Sequence, residues 1–326
     1  MRPLCRPARG REGLVHRVGQ EGMSGPLAPA PSRRSFLVAG LPLPMAWLAG
    51  CATPLPLAEP AARPTGDDGA QLLRLSAEAH GLAAYRQLRD INVRYAGEWR
   101  PLIDRIQPVV VDKAFRGASE ERLMPAAGVV AQAYTGSAGR KHVVWRREPV
   151  APAMRGEVAV WFNGQPSAEQ QVLDAAALVA EGYGLFLLGP LWLAGRGHPS
   201  RRAGTERVDG RWCEVVDVWL RPGVGRTEVD RVSMCIDASG LMRRVRFTLE
   251  GFGGTRGAVA QVDTFEHERR FGVVWPMRSY EEVVHPLRLP AHDWRITGLD
   301  VNRGYEPSSL TGPAFSGEAA RAAAAV

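Results

Sequence analysis

The chain has 326 residues, enough for one large domain or two small ones, and its 45% hydrophobic and 23% charged residues are globular values that exclude a wholly disordered chain. Four cysteines are too few for a disulfide scaffold of this length. The net charge of +7 is concentrated at the front: residues 1–50 hold seven arginines against Glu12 and Glu21, so the remainder carries only +2 and offers no broad electrostatic footprint for nucleic acid.

The first segment reads as an address. Ser32-Arg33-Arg34-Ser35-Phe36-Leu37 resembles a twin-arginine export motif, carried by Arg33, Arg34 and Phe36. The apolar run from Phe36 to Leu48 is 13 residues long and broken by Pro42 and Pro44. A membrane-spanning helix needs about 20, so the run predicts a signal-peptide core. It ends in Leu48-Ala49-Gly50-Cys51, which resembles a lipobox, with small residues for a peptidase cleft and a thiol at Cys51 to accept a diacylglyceryl group. Ala52 in place of an aspartate resembles the lipoproteins sorted to the outer membrane, which implies an anchor on its periplasmic face. Met23 lies nine residues before Ser32. The expected boundaries are therefore an over-long gene start over 1–22, a signal peptide over 23–50, and a lipidated Cys51 with a proline-rich tether over 51–68.

A single domain is expected over 69–305, followed by a disordered, alanine-rich tail over 306–326. Gly69 to Leu88 carries an apolar stripe at helical spacing, with Asp67 or Asp68 as a cap. From Ile91 the pattern changes to short strands: Ile91 to Tyr95, Val129 to Thr135, His142 to Arg146 and Val158 to Phe162. A helical insertion interrupts them over about 166–195. Pro166-Ser167-Ala168-Glu169 opens a helix running to about Ala180, and a second apolar stretch follows around Gly189-Pro190. In that stretch Leu185, Phe186, Leu188, Leu191 and Trp192 are expected either to plug the core or to line an apolar ligand cavity beneath a lid. Beyond it, Trp212–Leu220, Val229–Asp237, Leu241–Glu250, Val259–His267, Val273–Val284 and Trp294–Asn302 read as a meander of hairpins with no helix between them, which excludes a βαβ fold.

This architecture resembles the LolA/LolB-type lipoprotein-carrier half-barrels. The hairpin Cys235-Ile236-Asp237-Ala238-Ser239-Gly240-Leu241-Met242 looks like their strand, D-x-x-x-G-L, strand element, and Gly272-Val273-Val274-Trp275-Pro276 is similar to a later strand that enters with Gly and carries Pro. The resemblance spans roughly 70–304. It implies a mainly β, α+β fold: a curved antiparallel sheet forming an unclosed half-barrel, with an N-terminal helix and a helical lid or plug. It also implies an acyl or other lipid ligand; the membrane anchor expected as partner comes from the lipobox, which a soluble carrier would lack, and no cofactor is expected. The alternative is a structural or envelope-assembly lipoprotein with a filled core; a hydrolase is a distant third.

Enzyme motifs fall short by definable amounts, and no enzyme is predicted. In Gly251-Phe252-Gly253-Gly254-Thr255-Arg256, Arg256 stands where a dinucleotide fingerprint requires glycine. Thr135 replaces the first glycine of a nucleophile elbow, and Phe271 the second histidine of a zinc-protease motif. His80 is isolated, His285 and His292 are separated by two prolines, and adjacent Glu281 and Glu282 must face opposite sides of a strand, so no metal or catalytic site is expected. Arginine outnumbers lysine 39 to 2, which reads as genome composition rather than head-group recognition.

The last expectation is a strand register. A hairpin centred on Val224 opposes residues whose numbers sum to 448, pairing Asp217 with Arg231 and Cys213 with Cys235. Directly opposed cysteines would lie within disulfide reach, so the pair is expected as a bridge or as two buried free thiols.

Overall fold

The computed structural model describes residues 68–147, 156–310 and 320–321. The export motif at Arg33, Arg34 and Phe36, the lipobox Leu48-Ala49-Gly50-Cys51 and nearly all of the tether lie outside the described residues.

Helix α1 (Asp68–Ala79) starts where the Asp68 carboxylate accepts from the Gly69 N–H at 2.7 Å, and it buries Leu72, Leu73 and Ala77. The expected single helix is two. Gly81 takes a left-handed φ of 95°, and a four-residue α2 (Leu82–Tyr85) follows. The strands β1 (Ile91–Trp99), β2 (Ala118–Met124), β3 (Val129–Gly136), β4 (Gly139–Arg146), β5 (Glu157–Phe162) and β6 (Gln165–Pro166) form a first meander, with two short helices, α3 (Pro101–Ile106) and α4 (Pro108–Val111), between β1 and β2. Helices α5 (Gln170–Leu188) and α6 (Pro190–Leu193) come next, then a second meander of β7 (Ser200–Val208), β8 (Arg211–Leu220), β9 (Asp230–Asp237), β10 (Met242–Thr248), β11 (Val259–Arg270), β12 (Val273–His285) and β13 (Leu289–Val301). The two meanders join where β1 pairs with β13, giving one 13-stranded antiparallel sheet that ends in β6 on one side and β7 on the other. The sheet is unclosed, as expected of the half-barrel.

The hairpin that carried the family resemblance explains its own sequence. Asp237 accepts from the N–H groups of Ser239 and Leu241 and from Arg243 Nε, while Gly240 takes a φ of 80°. Ser76 Oγ donates to the Gly240 carbonyl at 2.7 Å, so α1 is fastened to this turn. On β10, Val245 and Phe247 point into the core while Arg244 and Arg246 share Glu206 on the other face, and Arg244 also pairs with Asp263.

Three expectations are corrected. The helix of the insertion does not stop near Ala180 but continues to Leu188, until Gly189 (φ 46°) and Pro190 break it. The 448 register is wrong by two. Cys213 faces Asp237, Val215 faces Cys235 and Asp217 faces Ser233, because the β8–β9 loop is centred on Gly225 rather than Val224. Both thiols are buried and free, so the candidate bridge between Cys213 and Cys235 is absent. Asp217 still reaches Arg231 diagonally at 3.8 Å and accepts from Ser233 Oγ at 2.8 Å. The tail, finally, packs in part. Residues Pro307–Leu310 form a 3-10 turn that buries Leu310 against Val129, Ala131 and Val144, and the backbone of Arg321 bonds to Leu299 and Asp300.

Candidate functional site

Helix α5 lies against β3, β4, β5 and β12. Its 19 residues are long and apolar enough to cross a membrane, but most of them are buried within the fold. It is held at mid-length by charge: Glu181 sits 3.0 Å from Arg147 and accepts the Gly225 N–H at 2.6 Å, and Arg147 also donates to the Pro222 carbonyl. Such a pair in the interior is costly to break from one side, because the surviving charge is left without a partner.

All five residues proposed for the plug or cavity are buried, but they divide. Leu185, Leu188, Leu191 and Trp192 pack into the main core with α1 and the second meander. Only Phe186 reaches the other side, where a cavity of about 280 Å³ opens between α5, α3 and strands β10, β12 and β13. This volume is at the lower end of the ordinary range for ligand pockets. Leu178, Val179, Tyr183 and Phe186 of α5, Phe247 and Leu249, and Val283, Leu289 and Ala291 give it an apolar wall. Ile106 and Leu287 line it while remaining 48% and 63% exposed, so the mouth has an apolar rim.

The space exists because Gly182 faces it: a Cβ there would come no nearer than 3.5 Å to Phe247. One turn-face away, Gly184 is filled, since a Cβ would fall 1.4 Å from the Trp192 ring.

One end of the cavity is polar. Tyr183 Oη and His292 Nδ1 are 3.4 Å apart, and Arg116 Nη1 donates to Tyr183 Oη at 3.5 Å. His292 stacks on Trp99 at 4.3 Å and on Trp294 at 4.5 Å, while the Arg116 guanidinium lies 4.5 Å over the Tyr134 ring. Burial pushes His292 down to about 3, and Arg116 adds to the effect, so the ring is neutral at physiological pH. Burial pushes Glu281 up to about 7 and Glu121 up to about 8, with Arg116 opposing both shifts. Among the described residues no group of three or more His, Cys, Asp or Glu side chains could hold a metal ion.

No protein-family model matches the chain, and no curated protein matches it. Solved structures do. A DUF1329 family protein from Desulfovibrio piger matches at 9% identity and TM-score 0.49, over 75% of this chain and 98% of its own. An outer-membrane lipoprotein-sorting domain from Vibrio parahaemolyticus matches at 10% and 0.41 (74% and 97%), and a LolA superfamily protein from Nitrosomonas europaea at 11% and 0.40 (75% and 97%). The likeness is one of fold.

Sequence reasoning missed Arg116 and the α3–α4 cover, and set His292 and Glu281 aside as uninformative. Arg116 lies on the loop after α4, where no periodicity marks it. The only local signal is Pro101 and Pro108, each at the first turn of its short helix.

Proposed function

We propose that this protein is an envelope lipoprotein that binds a hydrophobic, acyl-bearing ligand in the cavity beside α5, and that it acts by binding rather than catalysis. The observation that carries the reading is the cavity itself, an apolar space with an apolar rim beside a helix whose other half is packed into the core. In this reading Cys51 carries the lipid anchor, Arg33 and Arg34 direct export, and the domain stands at the periplasmic face of the outer membrane.

The test uses the domain from Asp67 onward, made without its anchor, and mass spectrometry of co-purifying lipid. A cavity-filling variant supplies the control. Gly182→Leu meets no backbone at its Cβ and gains helix propensity, so it should fold at least as well as the parent. It should also lose co-purifying lipid and the binding of an added fluorescent fatty acid. Lipid retention unchanged by Gly182→Leu, in a folded variant, would leave the structural-lipoprotein reading standing instead.

A further inference from the structure

Two further spaces adjoin the polar end of the cavity, and they bear on what kind of ligand head it takes. A small pocket of about 40 Å³ shares Trp99 and Tyr183 with the main cavity and is lined by Arg116, Tyr95 and His292. That pocket in turn shares Tyr95, Ala96, Gly97, Gly117 and Trp294 with an open outer groove.

Beside these spaces the sheet is incomplete. Strand β2 pairs with β1 only from Ile91 to Tyr95; beyond that point Ala96 to Trp99 pair with β13 alone, and the chain at Arg116 and Gly117 diverges from them. The outer groove is lined by four arginines, Arg94, Arg100, Arg278 and Arg295, against two acids, Glu98 and Asp293. Arg278 is matched by Asp293 and Arg295 by Glu266, while among the described residues no carboxylate pairs with Arg94 or Arg100.

Arg116 stands at the neck. Its N–H groups donate to Tyr183 Oη and to the Val110 carbonyl at 3.1 Å, but Nε is shielded from solvent with no hydrogen-bond partner, and among the described residues no carboxylate pairs with it. The guanidiniums of Arg147, Arg243, Arg244, Arg246 and Arg303 each have a carboxylate, whereas buried Arg122 rests on the Tyr305 ring. A guanidinium offers a planar fork that fits the two oxygens of a carboxylate or phosphate, and a shielded one with unused N–H groups is incomplete without such a partner.

Building on the proposed acyl-ligand reading, we infer that the ligand is an anionic amphiphile. Its chain occupies the apolar cavity and its terminal anionic oxygens bind the Arg116 fork, where β2 leaves β1 beside the outer groove. The one acid among the cavity-lining residues, Glu281, is held toward its neutral form by burial, and Asp112, the acid that acts on Arg116 through space, is already paired with Lys141.

The test compares ligands that share a tail. Binding of laurate, dodecyl phosphate and methyl laurate is measured by calorimetry on the full chain carrying Cys51→Ser, which prevents attachment of its own anchor. The expected result is that laurate, dodecyl phosphate or both bind at least tenfold more tightly than the neutral ester, and the stronger of the two identifies the head group. Arg116→Met should bring the preferred anion down to the level of the ester. Equal binding of ester and anions by the parent protein would overturn the anionic-head assignment while leaving the cavity reading intact. That comparison needs no Arg116 variant to fold. Failure of all three ligands to bind would overturn both.

Discussion

Two glycines, two residues apart on α5, should respond in opposite senses to the same substitution. Either alanine removes backbone freedom from the unfolded chain and improves helix propensity by roughly 0.8–1 kcal/mol. At Gly182 the new methyl meets Phe247 at 3.5 Å and Phe186 at 4.0 Å, ordinary contacts, so most of that gain should appear as stability. At Gly184 it would fall 1.4 Å from Trp192 Cζ3 and 2.1 Å from Cη2, and the indole cannot stay where it is. Trp192 is 8% exposed in the core, and displacing it costs about 1–3 kcal/mol of overpacking, which outweighs the propensity gain. In a domain of this size 1 kcal/mol moves Tm by roughly 2–4 °C, so thermal unfolding by circular dichroism separates Gly182→Ala, moving upward, from Gly184→Ala, moving downward. Adding Trp192→Ala removes the obstacle, and the double variant should be more stable than the two single changes sum to. Equal stabilisation by both alanines would refute the packing of Trp192 on Gly184 and with it the filled half of the interior.

Three further outcomes are expected. Glu181→Gln leaves Arg147 charged and without a carboxylate, and should lower stability by about 3–5 kcal/mol in urea unfolding, whereas replacing both residues with leucine should cost much less. Burial raises Glu121 to about 8 and Glu281 to about 7 from 4.5, so the folded chain holds protons that the unfolded chain releases. That contribution is complete below 4.5 and is lost as pH rises through 7 and 8. The depressed His292 and His198, at about 3 and about 4, act oppositely, their contribution being complete above 6.5 and lost on acidification. A Tm profile should therefore peak in mildly acidic buffer, and Glu121→Gln should flatten its alkaline limb. Cys51→Ser should remove lipidation, read as loss of metabolic acyl labelling and release of the chain from the membrane fraction; persistence there would contradict the anchor.

The strands that alternate cleanly were legible in the sequence, and β10 shows why: Val245 and Phe247 enter the core while Arg244 and Arg246 pair outside it. Three strands were not, the shortest being β6 (Gln165–Pro166), whose Pro166 reads as the opening of the helical insertion. β7 is an edge strand, largely exposed along Arg201 to Thr205, so no apolar period marks it. β2 hides for the opposite reason, since a charge is buried on each of its faces, Glu121 on one and Arg122, under Tyr305, on the other. The register error of β8 and β9 has a similar origin. A slip of two residues returns every side chain to the face it left, so alternation cannot distinguish a hairpin centred on Val224 from one centred on Gly225. Only the conformation of the loop, with Gly225 at a φ of 65°, decides it, and that is set by contacts to Glu181 on a distant helix.

The cavity was the least legible feature, because it is a property of what α5 leaves uncovered rather than of any motif. The apolar stretch from Tyr183 to Leu193 predicted a filled core or a lined space, and its composition fits either. What separates them is the return of the chain at Gly189-Pro190, which carries Trp192 back onto Gly184 and fills that part of the interior. The return stops there and does not reach Gly182. The other wall has Ala258 and Ala291, which project little volume, and α3 and α4 cover the gap without entering it. One short reversal of chain therefore makes a plug of one half of the helix and a binding wall of the other. A side chain added at Gly182 tests the wall without disturbing the plug, and one added at Gly184 tests the plug without entering the cavity.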